Sequence, residues 1–141
     1  VYPVSCMSTC GMMMTRELYE LLGGWPEELG IYGGGENFIN FTLAVLGKTV
    51  NIFPTQPLFH YAAKRGYHWN YDDYHRNRTI ASFMYGGAAF AKKYIEHVKG
   101  RPLVLERIYT DVVTKCRPQR DHLEPNIRMS IEEWVARQPK G

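Results

Sequence analysis

The group best placed for chemistry in this chain is the carboxylate of Glu36. It follows Gly33, Gly34 and Gly35 and precedes Asn37 and a strongly apolar run from Phe38 to Leu46. An acid at the start of a helix has a purely structural use, because it favours the helix dipole by roughly 0.3–1 kcal/mol. It also has a chemical one. Glycines leave an open wall, so that a ligand can approach the backbone and meet the carboxylate. Local chemistry leaves both readings open.

Other reactive groups are sparser. His60 sits in an otherwise apolar strand-like stretch, PLFHYA. It reads either as a satisfied core residue or as a metal ligand or phosphate contact at a strand end. The stretch YHWNYDDYHRNR gathers Tyr67, His68, Trp69, Tyr71, Tyr74 and His75 beside two aspartates and two arginines. Aromatic faces with polar neighbours suit sugar rings or bases, but the same residues also fit the packed edge of an amphipathic helix. The ending LGKT lacks the leading glycine of a phosphate-binding loop and follows a helix where it should precede one. GGGEN does not fit a dinucleotide fingerprint, because position 38 is Phe. The sequons at Asn40 and Asn77 fall in predicted helices and read as chance.

Bulk composition narrows the class. A chain of 141 residues forms one domain. A hydrophobic content of 45% with 22% charged residues describes an ordinary globular chain. The net charge of +3 is small and, apart from His75 to Arg78, scattered, which argues against nucleic acid as a partner. Cys6, Cys10 and Cys116 are odd in number and lack zinc-site spacing, so neither a disulfide framework nor a structural zinc is expected. No apolar run reaches membrane-spanning length and no signal-peptide pattern opens the chain, so the expected location is cytoplasmic. The opening VYPVSC has no initiator Met and reads as a piece of something longer.

These residues need elements to hold them. Val4 to Thr15 is extended and apolar and predicts one or two buried strands, with Met12 to Met14 as core filling. Thr15 then caps a helix carrying Leu18, Leu21 and Leu22, which Gly23 and Gly24 end. A Gly-rich loop with Trp25, Pro26 and Tyr32 leads to a helix from about Glu36 to Leu46, apolar on nearly all faces and therefore buried. TVNIF and PLFHYA are short strand candidates. A helix from about Tyr71 to Lys99 is bent or divided at Gly86-Gly87. Another covers Leu103 to Lys115. RPQRDHLEPN reads as loop, and Ser130 with Glu133 has capping-box spacing for a last helix through about Arg137. The predicted class is α/β, with few strands and a helical C-terminal half.

Taken in order, CGMMMTRELYELLGGWPEE, GGGENFINFTLAVLGKTVNIFP and PLFHYA resemble the second half of the catalytic domain of GT-A-fold glycosyltransferases. Family 2 enzymes, polypeptide N-acetylgalactosaminyltransferases and β-1,4-galactosyltransferases share that layout. The likeness covers roughly residues 4 to 80, with Arg16 as the helix arginine, Gly23-Gly24-Trp25 as the turn, Gly34-Gly35-Glu36-Asn37 as the acidic motif and His60 as the distal histidine. YHRNR at Tyr74 to Arg78 looks like the RN element that follows in many family 2 members. The resemblance implies a partial GT-A domain, with residues 1–100 as its acceptor-side half and residues 101–141 as a helical extension. It implies sugar transfer from a nucleotide-sugar donor to a hydroxyl on a carbohydrate or protein acceptor, with the donor-binding half absent from this chain. Glu36 would contact the acceptor hydroxyl or act as base. Gly34 and Gly35 would form an open turn, Asn37 would position the sugar, and Trp25 and Tyr32 would line the acceptor site. His60 would complete a site for a divalent metal, Mn or Mg, in the complete enzyme.

Two departures qualify this expectation. Asp72, Asp73, Asp111 and Asp121 are the only aspartates, and none has D-x-D spacing, so the chain alone is expected to be inactive and to need no metal. Asn37 stands where inverting members usually carry the aspartate base, and an amide cannot accept that proton. The Glu-Asn form looks instead like the retaining polypeptide N-acetylgalactosaminyltransferases. The alternative function is a non-catalytic carbohydrate- or protein-binding module derived from the same fold. A halved sheet would leave an open edge and apolar surface, so self-association of the isolated chain is expected.

Overall fold

The computed structural model describes residues 1–54 and 66–138. PLFHYA, and His60 with it, lies outside the described residues. Local signals set most of the helices. Thr15 has extended backbone and accepts a hydrogen bond from the Leu18 N–H at 3.2 Å, opening α1 (Arg16–Leu21). Gly23 and Gly24 both take positive φ and turn the chain away. After the loop comes α2 (Gly35–Val45), with Phe38, Ile39 and Val45 buried as its apolar faces require.

The strand content is smaller than the sequence suggests. β1 is only Tyr2–Val4, paired antiparallel with β2 (Val50–Ile52) so that Val4 faces Val50. Pro3 is tolerated because an edge strand does not need its missing N–H. The expected strands through Thr15 do not form, and Met13 is 86% exposed. The reason lies in where the backbone finds partners. Met7 donates to Asn40 Oδ1 at 2.9 Å, and Asn40 Nδ2 returns a bond to the Met7 carbonyl at 2.8 Å. A side-chain amide thus does here what a neighbouring strand would do in a sheet. Among the described residues the chain is α-rich, with two antiparallel strands.

From Tyr71 to Ala136 the chain is mainly helical. α3 (Tyr71–His97) begins at Asn70, whose side chain accepts from the Asp73 N–H, and breaks at Gly87, where φ is 75° and ψ is −174°. α4 (Pro102–Lys115) returns along it, burying Leu105, Ile108 and Val112. The segment expected as loop is instead α5 (Arg117–Leu123) followed by a 3₁₀ turn, Glu124–Asn126. Pro118 fits the first turn of a helix, where its missing N–H costs nothing, and tertiary contacts do the rest. Leu123 is fully buried, and Arg120 reaches into the core to donate from Nη1 to the Met84 carbonyl at 2.6 Å. That carbonyl lies just before the Gly87 break, where the helical ladder is interrupted, so the guanidinium supplies a donor that the helix lacks. α6 (Ile131–Ala136) opens with the predicted capping box between Ser130 and Glu133.

One core joins these elements. Phe38, Ile39 and Val45 of α2 cluster with Ile80, Phe83 and Met84 of α3, Val112 of α4, Leu123 of α5 and Ile131 of α6. Each such burial stabilises the fold by about 1.5–3 kcal/mol. All three cysteines are free thiols. Among the described residues no helix is long and apolar enough to cross a membrane.

Candidate functional site

The loop from Gly23 to Gly34 is held on the surface of α3 by side chains of α3 itself. Asn77, only 1% exposed, accepts from the Gly30 N–H at 2.9 Å and donates to the Tyr32 carbonyl at 2.6 Å. Arg76 adds a second clamp, donating from Nη1 to the Glu28 carbonyl and from Nη2 to the Glu28 carboxylate, both at 2.6 Å. The far end is tied by α5. Gln119 Nε2 donates to the carbonyls of Leu22 and Gly24, both at 2.9 Å. Satisfying the loop's polar groups in this way fixes a segment that would otherwise be free to sample many conformations.

The glycines before Glu36 are required by close packing against protein. A Cβ on Gly34 would lie 2.3 Å from the Asn77 backbone oxygen, and one on Gly33 would lie 2.6 Å from the Tyr74 ring. Gly35 meets the Trp25 indole, whose nearest ring atoms would be 3.1 Å from an added Cβ. On their Cβ sides, then, the glycines face α3 and Trp25, where the sequence predicted an open wall. Their absence of side chains lets α2 start hard against α3, which sets the position of the next two residues.

Glu36 is exposed, on the first turn of α2. Its Oε1 accepts from the Thr9 hydroxyl at 3.1 Å, and its backbone carbonyl accepts from Asn40 Nδ2 at 2.8 Å. Thr9 and Asn40 therefore fix the carboxylate between α2 and the irregular segment after β1. Asn37 points elsewhere, into a cleft it shares with Arg78 and Tyr94. Consecutive helical residues diverge by about 100°, so Glu36 and Asn37 serve two different surfaces at one helix end.

The aromatic residues form a belt beside this end. Trp25 is 38% exposed and meets Phe38 edge-on at 5.7 Å, so one part of the indole is anchored and another faces solvent. Tyr32 lies 4.9 Å from Trp69 and 5.9 Å from Tyr74, ring centre to ring centre. Of the residues singled out from the sequence, Trp25, Gly34, Gly35 and Glu36 are brought together, Tyr32 joins the adjacent aromatic group, and Asn37 lines the neighbouring cleft. Asn40 holds the Glu36 carbonyl and Asn77 the Tyr32 carbonyl, although the sequence reads both as chance sequons. Their mid-helix location offered one usable signal, because a polar amide inside an otherwise buried helix must be satisfied by something.

His75 supports the same region from beneath. It is 4% exposed, its Nδ1 lies 2.6 Å from the Tyr94 hydroxyl, and its Nε2 is buried without a partner among the described residues. Burial, and then the Arg78 charge, push its imidazole below the ordinary value of 6.5, against an upward pull from Asp72. The folded chain thus prefers neutral His75, and the unfolded chain binds more protons once pH falls below that ordinary value. This contribution is complete above about pH 6.5 and is lost as pH falls toward the depressed folded value. The melting temperature should therefore drop more between about pH 7 and about pH 5.5 in the native chain than in His75→Phe. Parallel melting curves for the two would contradict it.

No group of three His, Cys, Asp or Glu side chains converges among the described residues in a way that could hold a metal ion. Compared with known proteins, the chain matches no family model, no curated protein and no solved structure.

Proposed function

We propose that this chain is the acceptor-side half of a GT-A-type glycosyltransferase domain, with Glu36 as the group that meets the acceptor hydroxyl. One observation carries the proposal: an exposed carboxylate at the start of a buried, pinned helix, beside a half-exposed indole packed on the preceding residue. A carboxylate accepts hydrogen bonds from sugar hydroxyls, and an aromatic face covers the apolar side of a sugar ring. The order of motifs from Cys10 to Asn37 adds to that reading.

In this reaction the acceptor O–H bond breaks and its proton moves to a Glu36 carboxylate oxygen. The acceptor oxygen forms the new bond to the anomeric carbon. The old bond to the donor's diphosphate breaks, with its electron pair leaving on the phosphate oxygen. Asn37 cannot take the proton, being an amide, so Glu36 is the base within this stretch. The divalent ion implied by the resemblance finds no fitting ligand set among the described residues, and no step is assigned to it. Nucleotide-sugar binding belongs to the half that the chain lacks. Sugar transfer by the polypeptide carrying this chain, abolished by Glu36→Gln, is the test.

The second reading is a carbohydrate- or protein-binding module without catalysis, favoured by the mutual packing of the Tyr32, Trp69 and Tyr74 rings. Calorimetry of the isolated chain against simple sugars separates the two. Saturable binding at about millimolar concentration or better, lost in Trp25→Ala, supports the module. Transfer activity that needs the donor-side half, with no sugar binding by this chain alone, supports the transferase.

A further inference from the structure

A second site lies on the other side of the α2 start. Asn37, with Arg78 and Ser82 before the Gly87 break and Lys93, Tyr94 and His97 after it, encloses a cleft of about 320 Å³. That volume is at the small end of ligand pockets, which run from about 300 Å³ upward. The lining carries an Arg, a Lys and a His, and no carboxylate.

Arg78 and Lys93 differ from two other cations of α3. Their sequence neighbours are paired: Arg76 with Glu28, and Lys92 with Glu106 at 2.6 Å. Arg78 and Lys93 have no carboxylate partner among the described residues. Arg78 lies over the Tyr74 ring at 4.6 Å, and its Nε is buried with no hydrogen-bond partner. A buried guanidinium N–H left unpaired is costly, and an oxyanion is the acceptor that guanidinium geometry fits best. The half-buried Asn37 lines the same cleft, and its side-chain amide can donate there. Burial pushes the Tyr94 phenol well up from its ordinary value, so it stays neutral and adds no repelling charge.

We infer that this cleft binds a small oxyanion of the phosphate class, free or as a phosphomonoester, through Arg78 and Lys93 with Asn37 donating a further hydrogen bond. The inference stands apart from sugar transfer, because neither Glu36 nor a donor half takes part in it.

The test is titration of the full chain with inorganic phosphate and with glycerol 3-phosphate, at constant ionic strength, followed by the amide chemical shifts of Asn37 and Lys93. Saturable binding is expected, weakened at least about tenfold by Arg78→Met and by Lys93→Met, as for loss of a charge-assisted hydrogen bond. Lys92→Met, whose ammonium is engaged by Glu106 outside the cleft, should bind as the native chain does. Tighter binding of the glycerol ester identifies a phosphomonoester site, and tighter binding of the free ion a phosphate site. Arg78 also packs on Tyr74, so the exposed Lys93 provides the readable variant if Arg78→Met fails to fold. Shifts that stay linear with both ligands, or equal weakening by Lys92→Met and Lys93→Met, would overturn the site.

Discussion

Replacing Gly34 with alanine is expected to destabilise the chain by about 1–3 kcal/mol or more, the range for forcing extra volume into a filled space. The new methyl group would lie 2.3 Å from the Asn77 carbonyl oxygen, 2.7 Å from its carbon and 2.9 Å from Leu29 Cδ1. Two of those three atoms are backbone of α3 and cannot swing aside. Gly34 has φ −128°, a value any residue adopts, so the cost is steric contact and not backbone strain. The entropic benefit of Gly→Ala in the unfolded chain, about 0.4–1 kcal/mol, is too small to offset it. Gly66 is the natural control, because among the described residues nothing lies within 4 Å of a Cβ added there. Chemical denaturation should show Gly34→Ala unfolding well before the native chain and Gly66→Ala at or slightly above it. Equal midpoints for the two variants would mean that α2 does not start against Asn77.

Only part of this site is legible in residue order. Thr15, the Ser130–Glu133 pair and the Gly86-Gly87 break were legible because each acts on its own few neighbours. The buried character of α2 was legible too, since apolar residues on all faces leave it nowhere else to go. The glycines were recognisable as necessary, but their reason was not. Tyr74 and Asn77 are about 40 residues away in sequence, and no local pattern says that they will occupy the space a Cβ would fill.

Distant contacts also override local pattern elsewhere in the chain. Residues 5–15 have strand-like composition, yet the Asn40 amide captures Met7 from 33 positions away and the strands do not form. Residues 117–126, with two prolines, two arginines and an asparagine, look like a loop. They fold as helix because Leu123 is buried, Arg120 completes the broken end in α3, and Gln119 ties down the turn after α1. Helical propensity is a weak prior, and contacts of this kind override it. The contribution of His60 lies outside the described residues, so the metal side of the expected site rests on the resemblance alone.

The other large effect concerns Glu36. Gln is nearly the same size, and its Oε1 can still accept from the Thr9 hydroxyl that now bonds the carboxylate at 3.1 Å. The helix start, the Asn40 bond to the Glu36 carbonyl and the Trp25 contact with Gly35 do not depend on the carboxylate charge. Glu36→Gln should therefore fold normally and lose only the ability to take a proton, which general-base catalysis values at about 10²- to 10⁴-fold in rate. Under the proposed reading donor affinity should stay near that of the native protein, because Glu36 is assigned to the acceptor and not to the donor. The decisive measurement for the proposed reading is the rate of sugar transfer from nucleotide-sugar to acceptor by a polypeptide carrying this chain together with a donor-binding half. Transfer is expected with Glu36 in place, with a fall of at least about a hundredfold in Glu36→Gln at unchanged donor binding. Near-native turnover in Glu36→Gln would contradict it.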